Sequence, residues 1–177
     1  MSRKQSAAHI FMIDPVAFYP NPETMETNAF QDHGQDTDSA ALTQAVRDEA
    51  LTFRRALIDA GITITTARSE PDCPDMVFPN WLSTHQEDHA IIYPMLNNNR
   101  RAEKTGHLKA LLTQKYGTVT DWSHYENEDI ILEGTSSMVM DHVNKRVYAG
   151  LSKRTNQKLC ERWADMMGYR LFHFETS

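Results

Sequence analysis

The chain has 177 residues, of which 40% are hydrophobic and 24% are charged, and its formal net charge is −6. This composition is typical of a soluble globular protein, and the length suffices for a hydrophobic core. The acidic balance argues against nucleic acid as a partner, and no apolar run approaches the roughly 18 residues of a membrane helix. Asp14 and Pro15 interrupt the first apolar stretch, which excludes a secretory signal. We therefore predict a cytoplasmic protein.

Three helices are predicted, and each is followed by a short strand. Apolar residues recur at helical spacing in segments 40–60, 99–116 and 155–167, with Asp38 or Ser39 as a cap of the first. A glycine ends each segment: Gly61, Gly117 and Gly168. The strands that follow span 62–66, 118–122 and 169–174, and a further strand at 9–13 precedes the first helix.

Two pairs of extended segments precede the second and third helices. They span 76–83 with 90–93, and 137–141 with 146–149, and Asn144-Lys145 forms a good turn in the second pair. The order strand, strand, helix, strand thus recurs at a period of about 55 residues. A repeat of this length indicates a propeller or a solenoid rather than a conventional doubly wound sheet.

Three sets of motifs resemble the guanidino-group-modifying superfamily, the pentein fold, and within it the citrulline-forming arginine hydrolase branch. They are Asp75 to His85, Tyr93-Pro94-Met95 with Asn99-Arg100-Arg101, and Leu132-Glu133-Gly134-Thr135 with Gly150 to Thr155. The resemblance implies an α/β-propeller of ββαβ units. Residues 1–177 would be the N-terminal part of a single domain, with about two and a half of five units present. Roughly two more units, on the order of 110–130 residues, are expected after Ser177.

The resemblance also implies a reaction on arginine or a related guanidino compound. Superfamily members form a covalent thiouronium with a Cys thiolate, while a His acts as general acid and base. The resemblance places both groups beyond Ser177, so we expect the chain alone to be inactive, and it implies no cofactor. Cys73, among acidic residues, is a poor nucleophile, and Cys160 is a packing residue. Whether the enzyme is a hydrolase or an amidinotransferase stays open.

Glu133 and Arg154 are the principal predicted site residues. From the residues alone, Glu133 can hold a cationic group and Arg154 an anionic one, so an arginine-like amino acid would fit between them. By resemblance, Glu133 matches the catalytic acidic position and Arg154 matches an Arg that binds the substrate carboxylate. The alternatives are a strand-end carboxylate that accepts backbone N–H groups and a solvated Arg at a helix start.

Four further residues are candidates for substrate binding. Arg100 and Arg101 would contact the substrate carboxylate, unless they are an exposed solubilising pair. Asn80 lies where many superfamily members carry an acidic residue, but the motif has one Asn where the resembling branch has two. Either the Asn80 side chain still points into the site, or this half of the binding pocket is damaged. In the second case the Asp75 carboxylate could compensate. By resemblance, Asn28 or Phe30, in the aperiodic segment 18–33, would cover the substrate, and disorder of this segment is the alternative.

Two alternatives complete the predictions. His85 and His89 have the spacing of a zinc helix but lie between extended segments, so no metal is predicted. The chain could also be a truncated, non-catalytic partial propeller that binds an arginine-like ligand or a partner chain. An isolated half-ring would expose strand edges and an apolar face, which predicts a homo-oligomer or a complementary chain.

Overall fold

A computed structural model describes residues 4–25, 38–85 and 88–175. Over these ranges the protein is a mixed α/β fold with three separate sheets. Its described residues divide into two compact units, one within Met1–Ser6, Asn80–Leu96 and Lys104–Ser177, and one within Ala7–Pro79 and Asn97–Glu103. A single domain over residues 1–177 stays a prediction. In the described part of the chain, no helix has both the length and the apolar character needed to cross a membrane.

The unit that contains residues 7–79 has a parallel two-stranded sheet and a long connecting helix. Its elements in chain order are β1 (His9–Asp14), α1 (Ser39–Asp59), β2 (Thr63–Arg68), a 3-10 helix (Pro74–Val77) and α2 (Asn98–Ala102). The Asp38 side chain caps α1 by accepting a hydrogen bond from the Ala40 N–H, and Gly61 follows the helix with a φ of +82°. Both predicted end signals of this helix are therefore confirmed.

The other unit contains the two three-stranded sheets. Its elements are β3 (Leu82–His85), β4 (His89–Ile92), α3 (Gly106–Lys115), β5 (Thr118–Asp121), a 3-10 helix (Ser123–Glu128), α4 (Gly134–Ser137), β6 (Met138–Asp141), β7 (Arg146–Leu151), α5 (Gln157–Met167) and β8 (Arg170–Glu175). In each sheet an antiparallel hairpin is followed by a helix and a strand parallel to the second hairpin strand. The predicted order strand, strand, helix, strand is therefore observed twice. A ring of five such units stays a prediction.

Two predicted elements differ from the structure. The helix predicted at 99–116 is two helices, α2 and α3, and a new cap at Thr105, which accepts from the Leu108 N–H, starts the second one. Buried Lys104 donates to the Tyr93 carbonyl at 3.1 Å in this break. The strand predicted at 76–83 begins only at Leu82, because the residues from Pro74 onward form a 3-10 helix.

The hydrophobic core of this unit surrounds α5. One side of α5 contacts β7 and β8 of its own sheet. Its other side carries Trp163, whose indole Nε1 donates to the Tyr93 hydroxyl at 2.7 Å and whose ring lies 5.7 Å from that of His85. Tyr93 and His85 belong to the β3–β4–β5 sheet region, so α5 packs between two sheets. This arrangement fixes β4 and the segment after it, where the candidate site lies.

We expect Trp163→Ala to lower the free energy of unfolding by about 3–5 kcal/mol, because it removes a fully buried ring and the donor to Tyr93. Urea denaturation followed by circular dichroism measures this loss. Met166→Ala, at an exposed position of the same helix, is the matched control and should change stability little. Equal effects of the two substitutions would contradict the placement of Trp163 between the sheets.

Candidate functional site

The Glu133 side chain is fully buried, and its two carboxylate oxygens have separate partners. Oε1 accepts a hydrogen bond from the Leu96 N–H at 3.1 Å. Oε2 lies 3.0 Å from Nη1 of Arg154 and 3.5 Å from the Ser136 hydroxyl. A buried carboxylate is tolerated when donors and a counterion surround it, and both are present here.

The backbone around Glu133 is joined to the segment that carries Arg154. The Glu133 N–H donates to the Arg154 carbonyl at 3.2 Å and to the Ser137 hydroxyl at 3.1 Å. The Ser137 hydroxyl in turn donates to the Arg154 carbonyl at 2.9 Å. Glu133 directly precedes the short helix α4, and β6 begins at Met138.

Arg154 lies nearer to Glu133 than the sequence suggested. The sequence predicted a ligand between an acid and a base, whereas the guanidinium of Arg154 contacts the carboxylate directly. The Arg154 side chain is 26% exposed, so the pair is open to solvent on the arginine side only. Arg154 is therefore only partly solvated, and Glu133 accepts a hydrogen bond from a side chain as well as from a backbone N–H group.

Asn80 lies beside the turn that follows Glu133. Its Oδ1 accepts a hydrogen bond from the Thr135 hydroxyl at 3.1 Å. Gly134 has a φ of +46°, and a Cβ at this position would lie 2.5 Å from the Asn80 carbonyl oxygen and 2.7 Å from the Tyr93 ring. The missing second Asn has therefore not removed Asn80 from the neighbourhood of Glu133. Only glycine fits the close approach at Gly134.

The segment from Tyr93 to Leu96, which donates to Glu133, is itself held by a second buried ion pair. The Met95 N–H donates to Glu126 Oε1 at 2.8 Å, and Lys104 Nζ donates to the same oxygen and to the Tyr93 carbonyl. Burial lowers the pKa of Lys104, and the Glu126 carboxylate opposes this shift. Sequence reasoning missed this pair, since no local pattern links residues 104 and 126.

Tyr93 is another support that the sequence did not indicate. Its ring packs against Gly134, and its hydroxyl shares hydrogen bonds with the Ser83 hydroxyl at 2.6 Å and with Trp163. Burial raises the pKa of Tyr93, so the hydroxyl stays protonated. Tyr93 belongs to a motif that carries the family resemblance, but its contact with Gly134 follows only from the tertiary packing.

Arg100 has a different environment from the one predicted. It is buried, and its guanidinium donates to the carbonyls of Asp75 at 2.8 Å and Phe78 at 2.6 Å. Its Nε lies 3.0 Å from Glu103, which is also buried. These contacts tie the 3-10 helix to α2. Because Arg100 is buried, it is not part of an exposed solubilising pair, and its role in substrate binding stays a prediction. Arg101 is half-buried, and its role in binding stays a prediction.

Asp75 and the beginning of the predicted lid form one polar cluster. Asp75 Oδ2 accepts hydrogen bonds from Asn21 Nδ2 at 2.7 Å and from the Thr24 hydroxyl at 3.2 Å. Asn99 Nδ2 donates to Asn21 Oδ1 at 2.6 Å. The Asp75 carboxylate, in the 3-10 helix, thus has structural partners within its own unit. Phe30 lies outside the described residues.

Neither cysteine is placed as a nucleophile. Cys73 and Cys160 are both buried, and burial is the main cause that raises the pKa of each thiol to about 11. His85 and His89 converge after all, because they face each other across the hairpin with ring centroids 6.3 Å apart. Among the described residues, however, no group of three His, Cys, Asp or Glu side chains could hold a metal ion.

The repeated ββαβ arrangement places the chain in the pentein class of mixed α/β folds. The model of the eukaryotic N,N dimethylarginine dimethylhydrolase family matches residues 14–177. The chain belongs to this family. No curated protein matches it.

Solved structures of similar fold come from two kinds of arginine-related hydrolase. One is the substrate-bound N-terminal domain of ArgZ, a cyanobacterial arginine dihydrolase, with 15% identity, a TM-score of 0.72, and coverage of 96% of this chain and 58% of that one. Another is a Pseudomonas aeruginosa DDAH in complex with citrulline, with 18% identity, a TM-score of 0.66, and coverage of 96% and 61%. The chain thus spans about 58–61% of the length of these neighbours.

We expect Gly134→Ala to destabilise the turn after Glu133, because the added methyl meets the Asn80 carbonyl and the Tyr93 ring and because φ is positive. A loss of about 1–3 kcal/mol in the free energy of unfolding is the expected size. Urea denaturation measures it. Gly61→Ala, also at positive φ but with no atom near the added methyl, is the matched control and should lose less. Equal losses would show that the close approach is unimportant.

We expect both thiols to resist alkylation by iodoacetamide at pH 8 in the folded chain. With pKa values of about 11, only a small fraction of either thiol is thiolate at that pH, and both are buried. Labelling should become complete in urea, and mass spectrometry of tryptic peptides distinguishes the two sites. Rapid labelling of native Cys73 or Cys160 would restore that residue as a candidate nucleophile.

Proposed function

We propose that this chain is the N-terminal, guanidinium-binding part of an enzyme that acts on arginine or a related guanidino compound. The observation that carries the proposal is the Glu133–Arg154 contact, in which a fully buried carboxylate already holds a guanidinium. A carboxylate oxygen that accepts from an arginine side chain at 3.0 Å has the chemistry needed for the guanidinium of a ligand. The family match supports the same substrate class.

In the proposed site, Glu133 is the catalytic acidic residue and Arg154 changes partner when ligand binds. The guanidinium of Arg154 occupies the oxygen that a ligand guanidinium would take, so ligand must displace it. Arg154 is the more exposed member of the pair and can move outward. It would then meet the ligand carboxylate, which its planar fork suits. A ligand with both groups therefore replaces one ion pair by two.

Asn80 and Arg101 complete the proposed binding residues, with Phe30 as the cover. Asn80 stands against Thr135, beside the acid, where its amide can reach a polar group of the ligand. The alternative function, a non-catalytic ligand-binding chain, would use the same residues. The catalytic and the non-catalytic proposals therefore predict the same ligand. They differ in whether that ligand is converted to product.

The proposed reaction proceeds through a covalent thiouronium. A Cys thiolate attacks the guanidinium carbon, a His protonates the departing amine, and water or an acceptor amine then releases the product and restores the thiolate. Glu133 would hold the guanidinium in line with the sulfur. Since both thiols of this chain are buried, we propose that the nucleophile and the His lie outside residues 1–177. Two of the similar structures, an arginine dihydrolase and a DDAH bound to citrulline, support hydrolysis.

Ligand titration of the 177-residue chain tests the proposed binding. L-Arginine and methylguanidine should both shift the amide resonances of the segments around Glu133 and Leu96. Glu133→Gln should weaken both ligands by about 10- to 100-fold, because a hydrogen bond to a charged group is lost. The matched control is Lys153→Ala, which removes an exposed positive charge next to Arg154 and should leave both affinities unchanged.

Arg154→Ala should affect the two ligands differently. Methylguanidine should bind up to about tenfold more tightly, because the competing guanidinium is gone. L-Arginine should share this gain at Glu133 but lose its carboxylate contact, so its affinity should rise less or fall. Equal changes for both ligands would contradict the exchange, and unaltered binding to Glu133→Gln would remove Glu133 from the site. Citrulline release by the chain alone would contradict a nucleophile outside residues 1–177.

A further inference from the structure

Four side chains form a continuous series of hydrogen bonds from α5 to the end of β3. The Trp163 indole N–H donates to the Tyr93 hydroxyl oxygen at 2.7 Å. The Tyr93 and Ser83 hydroxyl oxygens lie 2.6 Å apart, and the Ser83 oxygen lies 2.8 Å from Nε2 of His85. We call these four side chains the Tyr93 network. Three of its members are buried, and only His85 is half-buried.

The protons of the Tyr93 network have one arrangement in which every donor has an acceptor. An indole nitrogen can only donate, so the Tyr93 oxygen accepts from Trp163 and its own proton goes to Ser83. The Ser83 hydroxyl then accepts from Tyr93 and donates its single proton to His85. Nε2 of His85 is therefore the unprotonated ring nitrogen, and the neutral ring carries its proton on Nδ1.

Protonation of His85 leaves the Tyr93 network with one proton too many. Both ring nitrogens of an imidazolium are donors, so Ser83 can no longer donate to Nε2. Either the Ser83 or the Tyr93 proton then has no acceptor within the network, at side chains that are only 6% and 0% exposed. A buried donor without an acceptor is costly, so the intact network and the neutral ring depend on each other.

The neighbours of His85 include two further imidazoles. The centroid of the His89 ring, on β4, lies 6.3 Å away, and that of His142, in the turn between β6 and β7, lies 6.5 Å away. Nδ1 of His142 lies 2.7 Å from the Tyr169 hydroxyl, and the Lys145 ammonium lies 4.6 Å from the centroid of the Tyr169 ring. A positive charge on His85 would therefore face groups that are cationic or become cationic in acid.

Two acidic residues occupy the turn between β3 and β4. The Asp88 carboxylate accepts a hydrogen bond from the Gly117 N–H at 2.9 Å, directly before β5. Glu87 lies outside the described residues. The Asp88 carboxylate is thus engaged with the segment that leads into β5.

The Tyr93 ring connects this network to the candidate site. A Cβ on Gly134 would lie 2.7 Å from Cδ2 and 2.9 Å from Cε2 of Tyr93, so the ring lies directly against the turn. Gly134 follows Glu133, the buried acid of that site. The backbone of Tyr93 is held separately, since its N–H donates to the Trp81 carbonyl at 2.8 Å. A change in the hydrogen bonds of the Tyr93 hydroxyl is therefore relieved at the ring, beside the acid.

We propose that neutral His85 is a positioning residue for Glu133 and that its protonation weakens ligand binding at that acid. His85 acts through Ser83 and the Tyr93 ring, and it makes the site sensitive to pH from the end of β3. This inference rests on the proposed function in taking Glu133 as the ligand-binding acid. The proton arrangement of the network does not depend on a ligand and can be tested without one.

The tautomer of His85 is the first test, and it needs neither a substitution nor a ligand. Nitrogen-15 NMR spectra of the histidine rings distinguish a protonated ring nitrogen from an unprotonated one, and they apply to the 177-residue chain directly. At pH 8 we expect His85 with its proton on Nδ1. A His85 ring with its proton on Nε2 would overturn the proposal, because Ser83 would then have to accept that proton.

A pH titration tests the coupling to the site. An unperturbed imidazole gains its proton at about pH 6.5, so spectra are recorded from pH 8 down to pH 5. The Gly134 amide resonance should move with the same midpoint as the His85 ring, because both follow one protonation. A Gly134 resonance that stays in place, or that follows the midpoint of another ring, would overturn the proposal.

His85→Gln is the decisive variant, because the glutamine amide oxygen can accept from Ser83 and the side chain never gains a charge. Its Gly134 resonance should keep the pH 8 position throughout the titration. The matched control is His89→Gln, in the same hairpin, since Nε2 of His89 lies 2.8 Å from the Thr120 hydroxyl and outside the network. Burial lowers the pKa of His89, so its own midpoint can be told from that of His85.

The two glutamine variants have to differ for the proposal to stand. The Gly134 response should disappear in His85→Gln and persist in His89→Gln. A response that persists in His85→Gln, or that disappears equally in both variants, would overturn the proposal.

Ligand affinity gives the functional readout. Methylguanidine should bind the unmodified chain about five- to tenfold more weakly at pH 5.5 than at pH 8, because protonated His85 leaves a buried donor unsatisfied beside the site. His85→Gln retains the titration of every other group, so its loss should be several-fold smaller. Equal losses in the two proteins would overturn the proposal while leaving Glu133 as the binding residue. Absence of methylguanidine binding at pH 8 would contradict the proposed function, and the NMR titration would still decide whether His85 controls the turn after Glu133.

Discussion

A carboxylate without solvent exposure has to be surrounded by donors, because removing a charge from water costs several kcal/mol unless it is paired. At Glu133 the donors come from Leu96, 37 positions away in the chain, and from Arg154, 21 positions away. Together the two contacts join three segments that are distant in the chain. The position of this one side chain therefore depends on most of its unit. The fold of the unit must in turn supply hydrogen-bond donors to the carboxylate.

That constraint extends outward through the backbone of the Tyr93–Leu96 segment. The Leu96 N–H can reach Glu133 because Met95 is held by Glu126 and because Tyr93 is held by Trp163 of α5. Since the Tyr93 ring also fills the space where Gly134 would carry a side chain, the packing of the helix and the position of the acid are coupled. The core of the fold and the candidate site are thus one set of contacts.

The sequence predicts those features that depend on neighbours in the chain. Asp38, Gly61 and Gly168 mark helix ends through local hydrogen bonds and positive φ, and all three act as predicted. The burial of Arg100 was not predicted, because its guanidinium donates to the backbone carbonyls of Asp75 and Phe78, which lie more than 20 positions away in the chain. Tertiary contacts also explain the rest: they separate α2 from α3 and bring Arg154 onto Glu133.

The pairing of Glu133 with an arginine has a consequence for what a ligand must offer. An incoming guanidinium exchanges one donor for a chemically equivalent one, so the displacement of Arg154 offsets part of the affinity that the carboxylate contributes. The balance is decided at Arg154, which loses its contact with Glu133. A ligand that also carries an anionic group pairs with Arg154 as well, so that two ion pairs replace the original one. In the proposed site, selectivity for an amino acid over a simple guanidine therefore arises from the displaced arginine.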